Sequence, residues 1–265
     1  WRNGKDVEAE DFMNTFGFRG VQFGNWTNQE DRQMAINQAY DAFMDLASLI
    51  GVSPSALSLN GELGIAFGAR GIGNASAHYE PNNVVINLTK TRGAGSLAHE
   101  WWHALDNYLS RRTGRSLGMV TSNRSIEMRE ELRNAFNAML DMVGNSEYAK
   151  RSAKKGDYWG RIEEVTARLL SEWVDNELKN NGKLNTFLSR GASIERYQKH
   201  NYNVYTALEK LSGREPMSFE EYKGTPESLI GIPYPTAKEV EQFGASLRHI
   251  FDTLQEKVDE KTGKI

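Results

Sequence analysis

The chain has 265 residues, 39% of them hydrophobic, and a formal charge of −3. That is enough apolar material for a sizeable core, and the dispersed basic residues leave no cationic face for nucleic acid. There is no cysteine, which excludes disulfides and thiolate ligands; no apolar run approaches the ~20 residues of a membrane span; and no secretory signal pattern is visible. The expected setting is cytoplasmic.

Residues 1–27 are rich in Gly and Asn, and the piece at 19–26 (RGVQFGNW) reads as a short strand and turn laid over the core. Residues 28–50 form an amphipathic helix with Thr27 or Asn28 as cap, Glu30 and Asp31 in the first turn and Gly51 past the end. The glycine-rich stretch 56–75 carries Arg70. It has neither a P-loop nor a placed dinucleotide fingerprint, so it reads as a turning segment beside a cleft rather than a phosphate cradle.

Residues 76–80 and 84–89 read as two strands joined through Pro81–Asn83. The second strand is expected to form the rim of a cleft, its exposed edge free to pair with an extended peptide.

The run that follows, Gly93 to Ser110, contains His99-Glu100-Trp101-Trp102-His103. This is the H-E-x-x-H pattern of zinc hydrolases. On a helix, at about 100° per residue, the two histidines lie about 40° apart and one turn apart, so both rings reach one metal. Glu100 stands to the side, placed to hold a water without being a ligand. Leu97, Trp101, Ala104, Leu105 and Tyr108 fall on the opposite face and pack on the core. Asp106 shares the ligand face and is expected to accept the non-metal N–H of a ligand histidine.

Helices are expected at 126–143 and 160–179, separated by a charged connection at 144–157. A catalytic zinc takes three protein ligands and leaves a position for water. Without cysteine, the third must be His, Glu or Asp. Glu164 is the choice, because it shares a helix face with Ala167, Ser171 and Asp175 that permits close approach; Glu163 points about 100° away. Glu163, His78 and His200 remain alternatives. Short and medium helical pieces at 183–189 and 193–212, a proline-rich loop or cover at 214–235, and a final helix at 236–260 complete the chain.

The whole reads as α+β and helix-rich: a single domain over 1–265, with an N-terminal lobe at 1–110 carrying a small twisted sheet and the metal helix, and a helical lobe at 111–265 supplying the third ligand. The expected activity is peptide-bond hydrolysis of a protein or peptide substrate with one Zn2+ ion. Glu100 acts as general base, and Tyr158, His200, Tyr202 and Arg168 are candidate transition-state donors. A non-catalytic structural or interaction module and a zinc amidohydrolase for a non-peptide amide are the competing readings.

The H-E-x-x-H helix followed by Glu164-Val-Thr-Ala167 resembles the zincin metallopeptidases with a glutamate third ligand. Segments at 19–26, 59–71, 77–108, 158–168 and 234–243 resemble the first type of large polyvalent protein-associated domain, found in very large phage and mobile-element proteins. The resemblance implies a zincin-like fold, His99, Glu100, His103 and Glu164 as the metallopeptidase set, neighbouring domains in a larger polypeptide, and work in the cytoplasm of a bacterial host or recipient. The spacing of about sixty residues between His103 and Glu164, and the lack of an N-E-x-x-S-D segment, depart from the thermolysin pattern.

Overall fold

The structure, a computed structural model, describes residues 1–25, 28–68, 77–88, 95–114, 117–124, 127–261 and 263–265. Arg70, with residues 69–75 of the glycine-rich stretch, and the alternative cap Thr27 lie outside the described residues.

The first element is a helix absent from the sequence expectation, α1 (Ala9–Phe16). Glu8 and Asp11 close a reciprocal capping box at its start, and Gly17, at φ 68°, ends it. Phe12 and Phe16 anchor it in the core. Strand β1 (Val21–Phe23) follows, then α2 (Gln29–Ile50), where the Asn28 side chain accepts from the N–H groups of Glu30 and Asp31 and Gly51 takes the left-handed position at the end.

Strand β2 (Gly64–Phe67) lies inside the glycine-rich stretch and is wholly buried. Strands β3 (Ala77–Glu80) and β4 (Val85–Leu88) match the expected hairpin. Val84 has φ 50°, a backbone no strand uses, so β4 starts one residue later than the pattern suggested.

The four strands form one open sheet in the order β1-β2-β4-β3. β1 and β2, and β2 and β4, are parallel, while β3 runs antiparallel to β4. This corrects the expectation for residues 84–89. β4 is interior, flanked on both sides and fully buried, as its continuous apolar run requires. The edge strand of the pair is β3.

The metal helix is α3 (Leu97–Arg111). The C-terminal part supplies α4 (Glu130–Gly144), α5 (Glu147–Lys155), the single turn α6 (Asp157–Gly160), α7 (Ile162–Asn180), α8 (Ile194–Leu211), α9 (Phe219–Lys223) and α10 (Ala237–Thr253). The charged connection at 144–157 is therefore mostly helix. Ser146 caps it, and its one large apolar anchor, Tyr148, is fully buried. Residues 183–189 form turns instead of a helix, and the final helix stops at Thr253.

One buried cluster runs from Val7 through the sheet and α3 to Phe251. At its centre α3 packs on α7. Trp102, fully buried, donates its indole N–H to Thr166 Oγ1 at 3.0 Å. This bond fixes the rotation of the two helices that carry the candidate metal ligands.

Candidate metal centre

The His99 and His103 rings lie on one side of α3, one turn apart. Their Nε2 atoms are 3.1 Å from each other. Glu164, in the first turn of α7, completes a triangle: Oε2 is 3.3 Å from His99 Nε2 and Oε1 is 3.4 Å from His103 Nε2. Ligands about 2.0–2.1 Å from one centre at tetrahedral angles stand about 3.3 Å apart, so the three edges are those of a coordination face. All three side chains are largely buried, and among the described residues they are the His/Cys/Asp/Glu group that could hold a metal ion. Glu164, rather than Glu163, is the carboxylate that joins the histidines.

The electrostatics call for a cation. Glu164 Oε2 is buried without a hydrogen-bond partner, and so is His103 Nδ1. Burial disfavours charge on both groups. Even so, the two rings hold the Glu164 carboxyl well below the usual carboxylate range, while hydrogen bonding to Glu164 and the charges of Glu100, Glu164 and Asp106 raise His103 above its ordinary value. Two ring nitrogens and a carboxylate converge on one point, an arrangement that a bound cation satisfies. A divalent metal accepting two imidazoles and a carboxylate fits this donor set.

Glu100 is 7% exposed and outside the ligand triangle. Its Oε2 accepts the backbone N–H of Tyr79 at 2.7 Å. That N–H therefore points away from β4. In an antiparallel ladder alternate residues face the same side, so Ala77 also presents its backbone to the cleft, which it lines together with His99, Glu100 and Glu164. The cleft has a volume of about 470 Å³.

Gly95, at φ 91°, begins the approach to α3, and its N–H donates to the Phe187 carbonyl. A Cβ there would come within 2.6 Å of Arg190 Cβ. The glycine thus lets the 185–190 turn close over the start of the metal helix.

The other expected site residues divide. Tyr158, in α6 and half exposed, lines the cleft. Burial and the negative charge of Glu164 push its hydroxyl above the ordinary tyrosine value. Arg168 is buried behind it. Nε donates to the Pro233 carbonyl at 2.9 Å, Nη2 to the Trp159 carbonyl, and Nη1 stands 3.8 Å from Glu164 Oε2. It braces α6 and Glu164. His200 is exposed on α8, and Tyr202 donates to the Met217 carbonyl within an aromatic group with Tyr205, Phe219 and Tyr222. Neither lines the cleft, because the middle of α8 packs on the 217–222 segment. His78, an alternative ligand, instead pairs with Glu80 at 3.0 Å.

Asp106 is buried, but its carboxylate accepts the N–H and hydroxyl of Thr121, not a histidine N–H. Burial pushes it up to about 6, with the Thr121 hydrogen bonds opposing. It reaches His103 through charge alone. The proline-rich segment also differs from a simple cover. It contains α9 and a tight turn at Pro226–Leu229, and its end reaches the site through the Pro233 carbonyl and the Tyr234 ring. Glu172, Arg190 and Tyr234 line the cleft as well. Only Glu172 had a local signal, two turns beyond Glu164 on α7.

The family model for "Large polyvalent protein-associated domain 1" matches residues 150–258. That span holds Glu164 and α7 to α10, and under half of the chain; the HEWWH helix and the resembling segments at 19–26, 59–71 and 77–108 fall outside it. No curated protein and no solved structure matches the chain. No helix among the described residues is long and apolar enough to cross a membrane.

Proposed function

We propose that this chain is a zinc-dependent peptidase acting on extended peptide segments, in the cytoplasm of a host or recipient cell. The observation that carries the reading is the position of Glu100. It stands beside the His99–His103–Glu164 triangle, buried, outside the ligand set and hydrogen-bonded to the backbone of β3, the outermost strand of the sheet among the described residues. A structural metal site has no use for such a carboxylate.

Zinc held by His99, His103 and Glu164 supplies Lewis acidity that polarises a carbonyl and acidifies water. The chain's own residues do the rest. Glu100 takes the proton of the attacking water and returns it to the leaving amine as the C–N bond breaks. The Tyr79 N–H fixes which Glu100 oxygen is free for that exchange. Ala77 offers main-chain hydrogen bonds to a substrate strand laid along β3, and that edge favours a peptide over a compact amide. The Tyr158 hydroxyl, kept protonated by its surroundings, donates to the oxygen on which charge develops.

Glu100→Gln is the direct test. The amide still accepts from Tyr79 but takes no proton. Zinc content should be unchanged while turnover falls by about 10²–10⁴-fold. Comparing new protein N-termini in a bacterial lysate treated with wild type and with Glu100→Gln reads activity and substrate together. Identical cleavage by both proteins removes Glu100 from the mechanism.

A further inference from the structure

Glu172 follows Glu164 by two turns of α7 and lines the same cleft. Its Oε1 accepts the Ala192 N–H at 2.8 Å. Among the described residues no cation lies within ion-pairing distance of it; Oε2 makes no hydrogen bond and stands 3.4 Å from where a Cβ on Gly191 would be, at the wall between this cleft and a second pocket that Glu172 also lines. The charges around it are committed elsewhere. Asp175 is paired with Lys179 at 2.5 Å. Arg168 spends Nε and Nη2 on backbone carbonyls and keeps Nη1 toward Glu164. Arg190 lines the cleft but is exposed.

Burial, reinforced by Asp175 against the Ala192 N–H and Lys179, pushes the Glu172 carboxyl up to about 7. The adjoining wall is the Tyr234 ring, which feels the Glu172 charge. A desolvated carboxylate beside an aromatic ring is a receptor for an alkylammonium or guanidinium group. Eight residues separate Glu164 and Glu172 by about 12 Å along the helix axis, a span that the Glu172 side chain and a long substrate side chain cover together.

We propose that Glu172 sets substrate specificity by receiving the cationic side chain, Lys or Arg, of a peptide bound across the HEWWH centre. The assignment rests on the peptidase reading for the nature of the ligand. The competing role is structural: Glu172 as no more than the acceptor that holds the turn before α8. Glu172→Gln separates the two, since the amide oxygen still accepts from Ala192 while the charge is lost.

The experiment uses the full chain, zinc-loaded and carrying Glu100→Gln so that peptide binds without turnover. Acetylated, amidated alanine heptapeptides with a central lysine, norleucine or glutamate are titrated calorimetrically. The lysine peptide should bind about tenfold or more tightly than the norleucine peptide, and the Glu100→Gln/Glu172→Gln double variant should bind the two alike. Equal affinity in the single variant, no binding of the lysine peptide, a preference for glutamate, or a lysine advantage that survives in the double variant each overturns the proposal. Cleavage of the same peptides by wild type is scored separately. Failure to cleave alongside a Glu172-dependent lysine advantage would defeat hydrolysis and leave the cation site standing.

Discussion

Tyr79 is bolted to the metal helix at two points: its backbone N–H donates to Glu100 Oε2 at 2.7 Å, and its hydroxyl donates to Asn107 Oδ1 at 2.7 Å. Glu100 and Asn107 are seven residues apart and therefore on one face of α3. Strand β3 and the helix move as a unit, so the strand edge and the base keep a fixed relation.

Tyr79→Phe deletes the hydroxyl and keeps the backbone bond. Asn107 Oδ1 retains Arg111 Nε as a donor, so no buried acceptor is stranded. The expected cost is about 1 kcal/mol of stability, read as a lower urea midpoint, with zinc content unchanged. A loss of zinc would mean that β3 holds the ligands themselves in place.

Metal binding should stabilise the fold through the triangle of His99, His103 and Glu164. A ligand at 100 times its Kd adds about 2.7 kcal/mol when it binds only the folded state. Zinc added to chelator-stripped protein should raise Tm, and Glu164→Gln should remove most of that rise. An undiminished rise in the variant would place the ion elsewhere.

Arg151 and Glu239 form a mostly buried two-point pair at 2.9 and 2.7 Å. Burial works to raise the Glu239 carboxyl, but hydrogen bonds from Arg151 and Thr236 outweigh it and hold the group below its ordinary value. With a depressed folded value, its stabilisation is complete above the unfolded glutamate value of about 4.3 and is lost as pH falls through the folded one. Glu239→Gln keeps the capping acceptor of α10 and isolates the charge. It should cost about 3 kcal/mol at neutral pH and flatten the acid limb of a Tm-against-pH curve. An unchanged acid limb would assign acid sensitivity to other carboxylates.

The site was most legible where a single helix carries its chemistry. HEWWH, its phase and the carboxylate at Glu164 are local patterns, and the geometry joins them. Helix α2 announces itself through its Asn28 cap, and both α2 and α7 through long apolar faces. The short elements do not. α1 has two buried aromatics in eight residues, and β2 is four residues within a run of glycines. The misassigned rim has a specific cause: apolarity marks β4 as a strand but says nothing of its neighbours, and the pairing of β2 with β4 spans a distance in sequence that no local pattern encodes. Asp106 shows the same limit. Its helical phase was right, but its partner, Thr121, comes from a loop.

Tyr158 offers the sharpest test of how the cleft treats developing charge. It is 50% exposed, so removing its hydroxyl should leave stability nearly untouched. Burial and the charge of Glu164 raise its ionisation above the ordinary tyrosine value; it is therefore a protonated donor throughout the neutral range and does not set the alkaline limb of activity. If it donates mainly in the transition state, Tyr158→Phe should lower kcat by about 10²–10³-fold and leave KM and zinc content close to wild type. A rise in KM at constant kcat would show instead that the hydroxyl binds ground state and transition state alike. Wild-type kinetics in Tyr158→Phe would remove it from the reaction, and the search for the donor would move to the backbone groups at the start of α3.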